Sequence, residues 1–189
     1  MSTQTRKERE RAQRHQLIVT TARELAEAEG WDAVTTRRLA DRVEYSQPVL
    51  YSHFDGKDAI VRAVAIQGFE ELADCLRRAR LGADRPGQGL HSVCHAYLDF
   101  AAARPALYQA MFVMPTDMKF ASQETPAPLR AGFEEFVSAL PPGTDQREVT
   151  AEVAWSALHG IAVLAAAGRI PPDDQGERVK ILAARISGR

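Results

Sequence analysis

The residues best suited to molecular recognition in this chain lie on one short helix, predicted from residue 46 to about residue 53. Its exposed side chains are predicted to be Gln47, Pro48, Val49, Tyr51 and His53. The exposed face of a surface helix usually carries charged and polar residues instead. An amide, an imidazole, an aromatic ring and small apolar groups suit the base edges and phosphates of a DNA major groove. The pattern therefore favours binding to double-stranded DNA.

A second helix must lie just before this one to position it. Thr35 or Thr36 can cap that helix, because a threonine hydroxyl accepts a hydrogen bond from an unpaired backbone N–H. Apolar residues recur in it at helical spacing, namely Leu39, Ala40 and Val43. Glu44-Tyr45 then forms a turn and Ser46 can cap the following helix. The pair predicts a helix-turn-helix.

Two longer helices are predicted to flank this pair, from about residue 9 to 29 and from 57 to about 81. A helix of about two turns is marginal alone, so these flanking helices must provide its scaffold. Their inward-facing candidates are Leu17, Ile18, Ala22, Leu25 and Ala26 in the first helix and Ile60, Val64, Phe69, Leu72 and Leu76 in the second.

Residues 1–15 form a basic arm, with five Lys or Arg side chains against two Glu. A polar, charged segment of this kind is expected to stay disordered until it binds an anionic partner such as DNA. The alternative is a solvated tail without a binding role.

The run TTRRLA…QPVLYSHF…K resembles the DNA-binding head of the TetR/AcrR family of bacterial transcription regulators, over roughly residues 10–60. The resemblance implies that Arg37 reaches a guanine edge and that Gln47 reads a base. It implies that Pro48 and Val49 contact thymine methyl groups. It also implies phosphate contacts from Thr36, Tyr51, His53 and Lys57.

One residue departs from the family pattern in the turn. Glu44 stands where this family usually has glycine, which tolerates a positive φ. Either the turn has another geometry or the backbone of Glu44 is strained.

The remainder of the chain is predicted to be helical throughout. Breakers at residues 82–89, 104–105, 115, 125–128, 141–143 and 171–172 separate five helices, at about 89–103, 105–114, 128–140, 146–167 and 173–186. The apolar stretch 153–167 is expected to be a buried helix. The predicted fold class is all-α with about nine helices: a three-helix helix-turn-helix head, residues 1–62, and a helical ligand-binding and dimerisation body, residues 63–189.

Methionine and aromatic residues crowd part of the body, and such side chains line adaptable small-molecule pockets as well as ordinary cores. The segment AWSALHG is similar to a body type of this family with a Trp-His-Gly signature, which implies a ligand-contacting or coupling role for Trp155 or His159. The alternative is a packed tryptophan with a hydrogen-bonded core histidine. The candidate ligand-binding residues are Tyr97, Phe100, Tyr108, Met111, Phe112, Phe133, Trp155 and His159.

No cofactor or metal is predicted. Cys75 and Cys94 are isolated, which favours free thiols in a reducing cytosol. His91 and His95 are four residues apart, a spacing that can hold a metal, but no third ligand is evident. There is no signal-peptide pattern and no apolar run of about 18 residues, so we expect a cytoplasmic protein without membrane association.

The function predicted from these features is that of a ligand-responsive transcription regulator. A homodimer formed through the last two helices would bind a palindromic operator, and a small, mostly apolar effector would release it. An activator or a co-ligand-dependent regulator is the first alternative. A protein-interaction module or an all-α enzyme is more remote, because phosphate-loop, nucleophile-elbow and zinc-protease motifs are absent from the sequence.

Overall fold

The computed structural model describes residues 3–83, 88–120 and 122–188, with side chains from residue 5 onward. Within these residues the chain forms helices and no strand, so the predicted all-α fold is confirmed. The α-helices are α1 Thr3–Glu29, α2 Thr36–Arg42, α3 Gln47–Tyr51, α4 Lys57–Leu81, α5 Gly89–Ala103, α6 Pro105–Phe112, α7 Ala127–Ala139, α8 Arg147–Ala166 and α9 Gln175–Ile186. Single 3-10 turns occupy Trp31–Ala33 and Pro172–Asp174.

The described residues divide into two compact units. The first contains the chain up to residue 68 together with 106–118, and the second contains 69–105 and the chain from 119 onward. The first unit therefore extends beyond the predicted head of residues 1–62 and includes most of α6, and α4 contributes to both units. Residues 1 and 2 of the predicted arm lie outside the described residues. Residues 84–87 of the predicted break at 82–89 do so too.

The core of the first unit is built from the apolar stripes of its helices. Ile18, Ala22 and Leu25 of α1 are fully buried, as predicted, and Leu50 and Phe54 are buried as well. Leu17 is an exception: it was predicted to face inward but is 43% exposed. The buried Ile18 and Val19 already fill that turn of the helix, so Leu17 falls on the solvent side.

The predicted disorder of the basic arm is wrong for residues 3–15, because α1 begins at Thr3. Glu10 accepts a hydrogen bond from the Nε of Arg6 at 2.8 Å, and its carboxylate lies 3.7 Å from Arg14. Such pairs four residues apart stabilise a helix by about 0.2–0.5 kcal/mol each. Arg, Lys, Glu, Gln and Ala also have high helix propensity, so a segment of this composition can extend α1.

The turn between α2 and α3 requires a left-handed backbone. Glu44 has φ 56°, and the next residue, Tyr45, donates its N–H to the carbonyl of Ala40 at 3.0 Å. This conformation after a helix normally belongs to glycine. Of the two alternatives for this position, the structure shows the strained backbone: Glu44 adopts the left-handed conformation that glycine tolerates. A residue with a Cβ atom is destabilised there by about 1–2 kcal/mol.

Replacing Glu44 with glycine is expected to raise the free energy of unfolding by about 0.5–1 kcal/mol, since relief of strain outweighs the added entropy of the unfolded chain. Thermal denaturation of the purified protein measures the change. Glu44→Ala is the matched control, because it removes the carboxylate and keeps the Cβ atom. An equal gain in the alanine variant would assign the effect to charge and contradict the backbone explanation.

In the second unit, α5 packs against α7, α8 and α9. Its core includes Leu90, Val93, Leu98, Phe136, Leu158 and Val179. The carboxylate of Glu135 is also buried, and it accepts hydrogen bonds from Arg77 at 3.2 Å and Arg80 at 2.7 Å. Two cations therefore compensate its removal from water, as a buried charge requires.

The expectation that the stretch 153–167 is a buried helix is wrong. In α8 only Ala151, Ala154 and Leu158 are buried, and Val153 is 58% exposed. These three residues form one stripe at helical spacing, so only that face packs on the second unit. The helix α8 has 20 residues, and an 18-residue window of it has a mean hydropathy of 1.4, so it is also the one described helix that could cross a membrane by length and composition.

Candidate functional site

The short helix α3 presents most of its side chains to solvent. Leu50 is its one fully buried residue and anchors the helix to the first unit. Gln47, Pro48 and Tyr51 are exposed as predicted, with Tyr51 51% exposed. Val49 is only half-buried rather than fully exposed, and His53 is likewise partly buried beyond the end of the helix. The helix is shorter than predicted because Ser46 and Ser52 are its caps.

The start of α2 brings two of the predicted DNA-binding residues to α3. Thr35 is the cap, since its hydroxyl accepts a hydrogen bond from the N–H of Arg38 at 3.2 Å. The hydroxyl of Thr36 is then left to face α3, where it lies 3.4 Å from the hydroxyl of Tyr51. The structure thus places two predicted phosphate ligands, from different helices, side by side.

The neighbouring arginines of α2 have different surroundings. Arg38 donates to both carboxylate oxygens of Glu29, at 2.9 and 3.0 Å. This hydrogen bonding lowers the pKa of Glu29 and raises the pKa of Arg38. Arg37 is exposed and follows Thr36 in the first turn of α2. A planar guanidinium can bind a guanine edge in bidentate fashion, and the contact predicted for Arg37 stays a prediction.

Lys57 is the first residue of α4 and is partly buried. Its Nζ donates a hydrogen bond to the carbonyl of Trp31 at 2.5 Å. An ammonium group has three N–H donors, so two remain for a phosphate group. The predicted role of Lys57 is compatible with this contact, and its tether to Trp31 was not predicted.

His53 lies in a positively charged environment. Partial burial lowers its pKa, and the nearby charges of Arg11, Arg14 and His15 lower it further. A lowered pKa favours the neutral imidazole, which has one N–H to offer a phosphate. Arg11 and Arg14 of α1 thus bring positive charge close to His53.

The candidate ligand-binding residues are divided between the two units. Tyr108, Met111 and Phe112 belong to the first unit, where the rings of Tyr108 and Phe112 are 4.8 Å apart. The second unit contains the other five, which are Tyr97, Phe100, Phe133, Trp155 and His159.

Within the second unit, Trp155 donates its indole N–H to the hydroxyl of Tyr97 at 3.1 Å. Tyr97 is fully buried and packs edge-on against Phe136, with ring centroids 5.6 Å apart. His159 follows one turn after Trp155, and partial burial lowers its pKa. These residues form a mixed polar and aromatic cluster, and their role in ligand binding stays a prediction.

His91 and His95 lie close together in α5. The two rings are 4.6 Å apart, and burial together with the neighbouring ring lowers the pKa of His91. Among the described residues there is no group of three or more His, Cys, Asp or Glu side chains that could hold a metal ion. Cys94 is buried, and burial raises the pKa of its thiol to about 12.

Comparison with known proteins identifies both parts of the chain. Residues 18–64 match the family model described as bacterial regulatory proteins, tetR family. Residues 90–186 match the model of the tetracyclin repressor-like C-terminal domain, which alone covers half of the chain. The chain belongs to the TetR family. It is therefore a transcription regulator, and the predicted resemblance of its head and body to this family is confirmed.

Relatives of this TetR protein are bacterial regulators. It is 30% identical over 158 residues to an HTH-type transcriptional regulator of Mycobacterium tuberculosis, covering 80% of this chain and 69% of the relative. It is 33% identical over 104 residues to the HTH-type transcriptional regulator YobS of Bacillus subtilis, covering 54% of this chain and about half, 53%, of YobS. The class C tetracycline repressor of Escherichia coli is 46% identical, over 48 residues only.

Solved structures share the fold of this TetR protein along nearly its whole length. The regulatory protein SCO4313 superimposes with a TM-score of 0.75 and 24% identity, covering 96% of this chain and 98% of that one. RolR in complex with resorcinol has a TM-score of 0.68 and 16% identity, covering 95% and 88%. At these identities the likeness establishes the fold alone.

Proposed function

We propose that this TetR-family protein binds a palindromic DNA operator as a homodimer, represses transcription there, and is released by a small, mostly apolar effector. The observation that carries the proposal is the exposed surface of α3. Gln47, Pro48 and Tyr51 are exposed there, and Arg37, the residue after Thr36 in α2, is exposed as well. Gln can bind adenine and Arg can bind guanine in bidentate fashion, each pair giving about 1–3 kcal/mol of discrimination.

Phosphate contacts would orient this surface on the duplex. The adjacent hydroxyls of Thr36 and Tyr51, the ammonium of Lys57 and the imidazole of His53 are the proposed ligands. Val49 and Pro48 would contact thymine methyl groups. The helical arm adds positive charge close to His53. The chain as a whole has a net charge of −1, so this local concentration of cations matters more than overall charge for attraction to DNA.

The proposed dimer interface consists of the exposed apolar faces of α8 and α9. These faces include Val149, Val153, Val163 and Leu164 on α8 and Ile181 on α9. Two such helices from each copy can pack as a four-helix bundle. Because α8 also buries Ala151, Ala154 and Leu158 within its own unit, we propose a second copy of the chain, rather than a lipid bilayer, as the cover of its exposed face. A two-fold dimer implies a palindromic site.

The proposed effector site lies among the aromatic residues of the second unit. The indole N–H of Trp155, the hydroxyl of Tyr97 and the ring of His159 could orient a small molecule among apolar rings. RolR, which shares the fold, has been solved with resorcinol bound, so a small aromatic compound is a reasonable first probe. An effector releases DNA only by binding the DNA-incompatible state more tightly. The role predicted for Tyr108, Met111 and Phe112, which belong to the first unit, stays a prediction.

The test is selection of bound sites from randomised duplex DNA by the purified protein at about physiological salt. Enrichment of a palindrome is expected, with half-sites about one helical turn apart. The enriched duplex then serves as the probe in a screen for compounds that release it, with resorcinol included. If the folded, dimeric protein enriches no sequence, the proposal that the ligand-free protein binds an operator is contradicted. Repeating the selection in the presence of cell extract would then test the alternative, a regulator that needs a co-ligand to bind DNA. Reporter transcription distinguishes a repressor from an activator.

A further inference from the structure

The first turn of α6 is capped by a residue from the end of α1. Pro105 begins α6 and has no N–H, so Ala106 and Leu107 carry the first backbone donors of the helix. The carboxylate of Glu27 accepts both, from Ala106 at 3.1 Å and from Leu107 at 3.0 Å. Carboxylates at this position are stabilising, because the donors are otherwise unpaired and the helix terminus is partially positive.

Trp31 connects the same turn of α6 to the start of α4. Its side chain is 6% exposed, and its indole N–H donates to the carbonyl of Ala106 at 2.8 Å. Its own carbonyl accepts the hydrogen bond from the Nζ of Lys57. We name this arrangement the α6 latch, consisting of Glu27, Trp31, Lys57 and the first turn of α6. All of these contacts lie within the first unit.

The latch restrains an otherwise flexible cation. A lysine ammonium at the end of a four-carbon stem has many orientations, and binding a phosphate group would normally require it to lose this freedom. With one N–H held by the carbonyl of Trp31, Lys57 has already lost part of that freedom before DNA arrives. The carbonyl can hold the ammonium in place because the indole of the same residue is fixed to α6. Pre-organisation of this kind increases affinity.

We propose that Glu27 and Trp31 are positioning residues for Lys57, so that the affinity for DNA phosphate depends on the first turn of α6 staying in place. The proposal rests on the proposed DNA-binding function and adds two residues outside the helix-turn-helix to it. It also assigns a role to the hydrogen bond between Trp31 and Ala106. These two residues are 75 positions apart, so no local sequence pattern reveals the contact.

The test uses a labelled random-sequence duplex, titrated with the full-length protein over a range of salt concentrations. Trp31→Phe removes the indole N–H and keeps an aromatic ring, and Lys57→Met removes the ammonium. Lys57→Met is expected to weaken binding about 30-fold near 0.15 M salt and to reduce the slope of log affinity against log salt by about 1.8, the contribution of two phosphate contacts, one from each copy in the proposed dimer. Trp31→Phe is expected to change both quantities in the same direction, by no more than Lys57→Met does. The double variant should bind no more weakly than Lys57→Met alone.

A second variant and a control keep the test decisive. Glu27→Gln leaves the buried indole intact, so it carries the test if Trp31→Phe fails to fold. It should lower the hydrogen-exchange protection of the Ala106 and Leu107 amides and change the salt slope in the same direction. On the selected operator, where a base contact contributes, the loss from Trp31→Phe should multiply with the loss from Arg37→Ala, because Arg37 is outside the latch. A merely structural role would lower the melting temperature and leave the salt slope unchanged.

The possible outcomes separate the two proposals. Losses from Trp31→Phe and Lys57→Met that multiply would overturn the latch, as would folded Trp31→Phe and Glu27→Gln variants that bind like the wild type. In both cases the wild-type protein would still bind DNA, so the proposed function would stand. A folded, dimeric wild-type protein that binds no duplex at any salt concentration would contradict both.

Discussion

Substitution of Arg37 by alanine is expected to lower the affinity for the selected operator by about 30-fold or more, while the protein remains folded. The loss corresponds to two bidentate arginine–guanine pairs, one in each half-site, each giving roughly 1–3 kcal/mol of discrimination. Arg37 is exposed, so its removal leaves no cavity and no buried unpaired group. Fluorescence anisotropy with the operator and with a scrambled duplex measures the effect. The ratio of the two affinities should fall, because a base contact contributes only to the correct sequence.

The neighbouring residue provides the matched control. Arg38→Ala removes the same charge one position later, but Arg38 is engaged by Glu29 in an exposed ion pair, and such pairs contribute little to stability. The ratio of operator to scrambled affinity should therefore be unchanged in Arg38→Ala. If the two alanine variants reduce that ratio equally, Arg37 acts through general electrostatic attraction and the proposed guanine contact is wrong.

Substitution of Val153 by glutamate is expected to convert the proposed dimer to a monomer and to lower operator affinity by about 100-fold or more. Val153 is 58% exposed on the apolar face of α8. A carboxylate there would be buried without a partner in the dimer, at a cost of several kcal/mol, and would be hydrated in the monomer. A monomer also loses the effective concentration that links the two half-sites, which is worth about 10²–10⁴ in affinity.

Sedimentation velocity at micromolar concentration gives the oligomeric state, and operator titration gives the affinity. Leu81→Glu is the control, because Leu81 is 70% exposed at the end of α4 and the substitution makes the same apolar-to-acidic change away from α8 and α9. The control should remain dimeric. A Val153→Glu protein that stays dimeric and binds the operator normally would place the interface elsewhere.

Several elements of this protein follow from its sequence alone. The bounds of α4 and α5 were predicted to the residue, because Asp55-Gly56 and Arg104-Pro105 interrupt strong helical periodicity at their ends. The helix-turn-helix was recognisable for the same reason: its cap, turn and apolar spacing all lie within about 20 residues. The sequence offered Thr35 and Thr36 as alternative caps, and only the backbone conformation showed that Thr35 is the cap. In the same way, the sequence offered two alternatives at Glu44, and the positive φ of this residue decided between them.

Features that depend on distant parts of the chain could not be predicted in this way. The sequence shows that α8 is apolar, but only packing against α5 and α7 decides that Ala151, Ala154 and Leu158 are its buried stripe. No local pattern distinguishes Glu27 and Trp31 in the sequence. Their hydrogen-bond partners, Leu107 and Ala106, lie on α6, 75 to 80 positions later in the chain. Periodicity and capping are properties of short windows, so the sequence determined the helices, the family and the candidate DNA-reading surface. The burial of a side chain, and a hydrogen bond between residues about 80 positions apart, depend on which distant segments of the chain pack together. Only the tertiary structure decided these features.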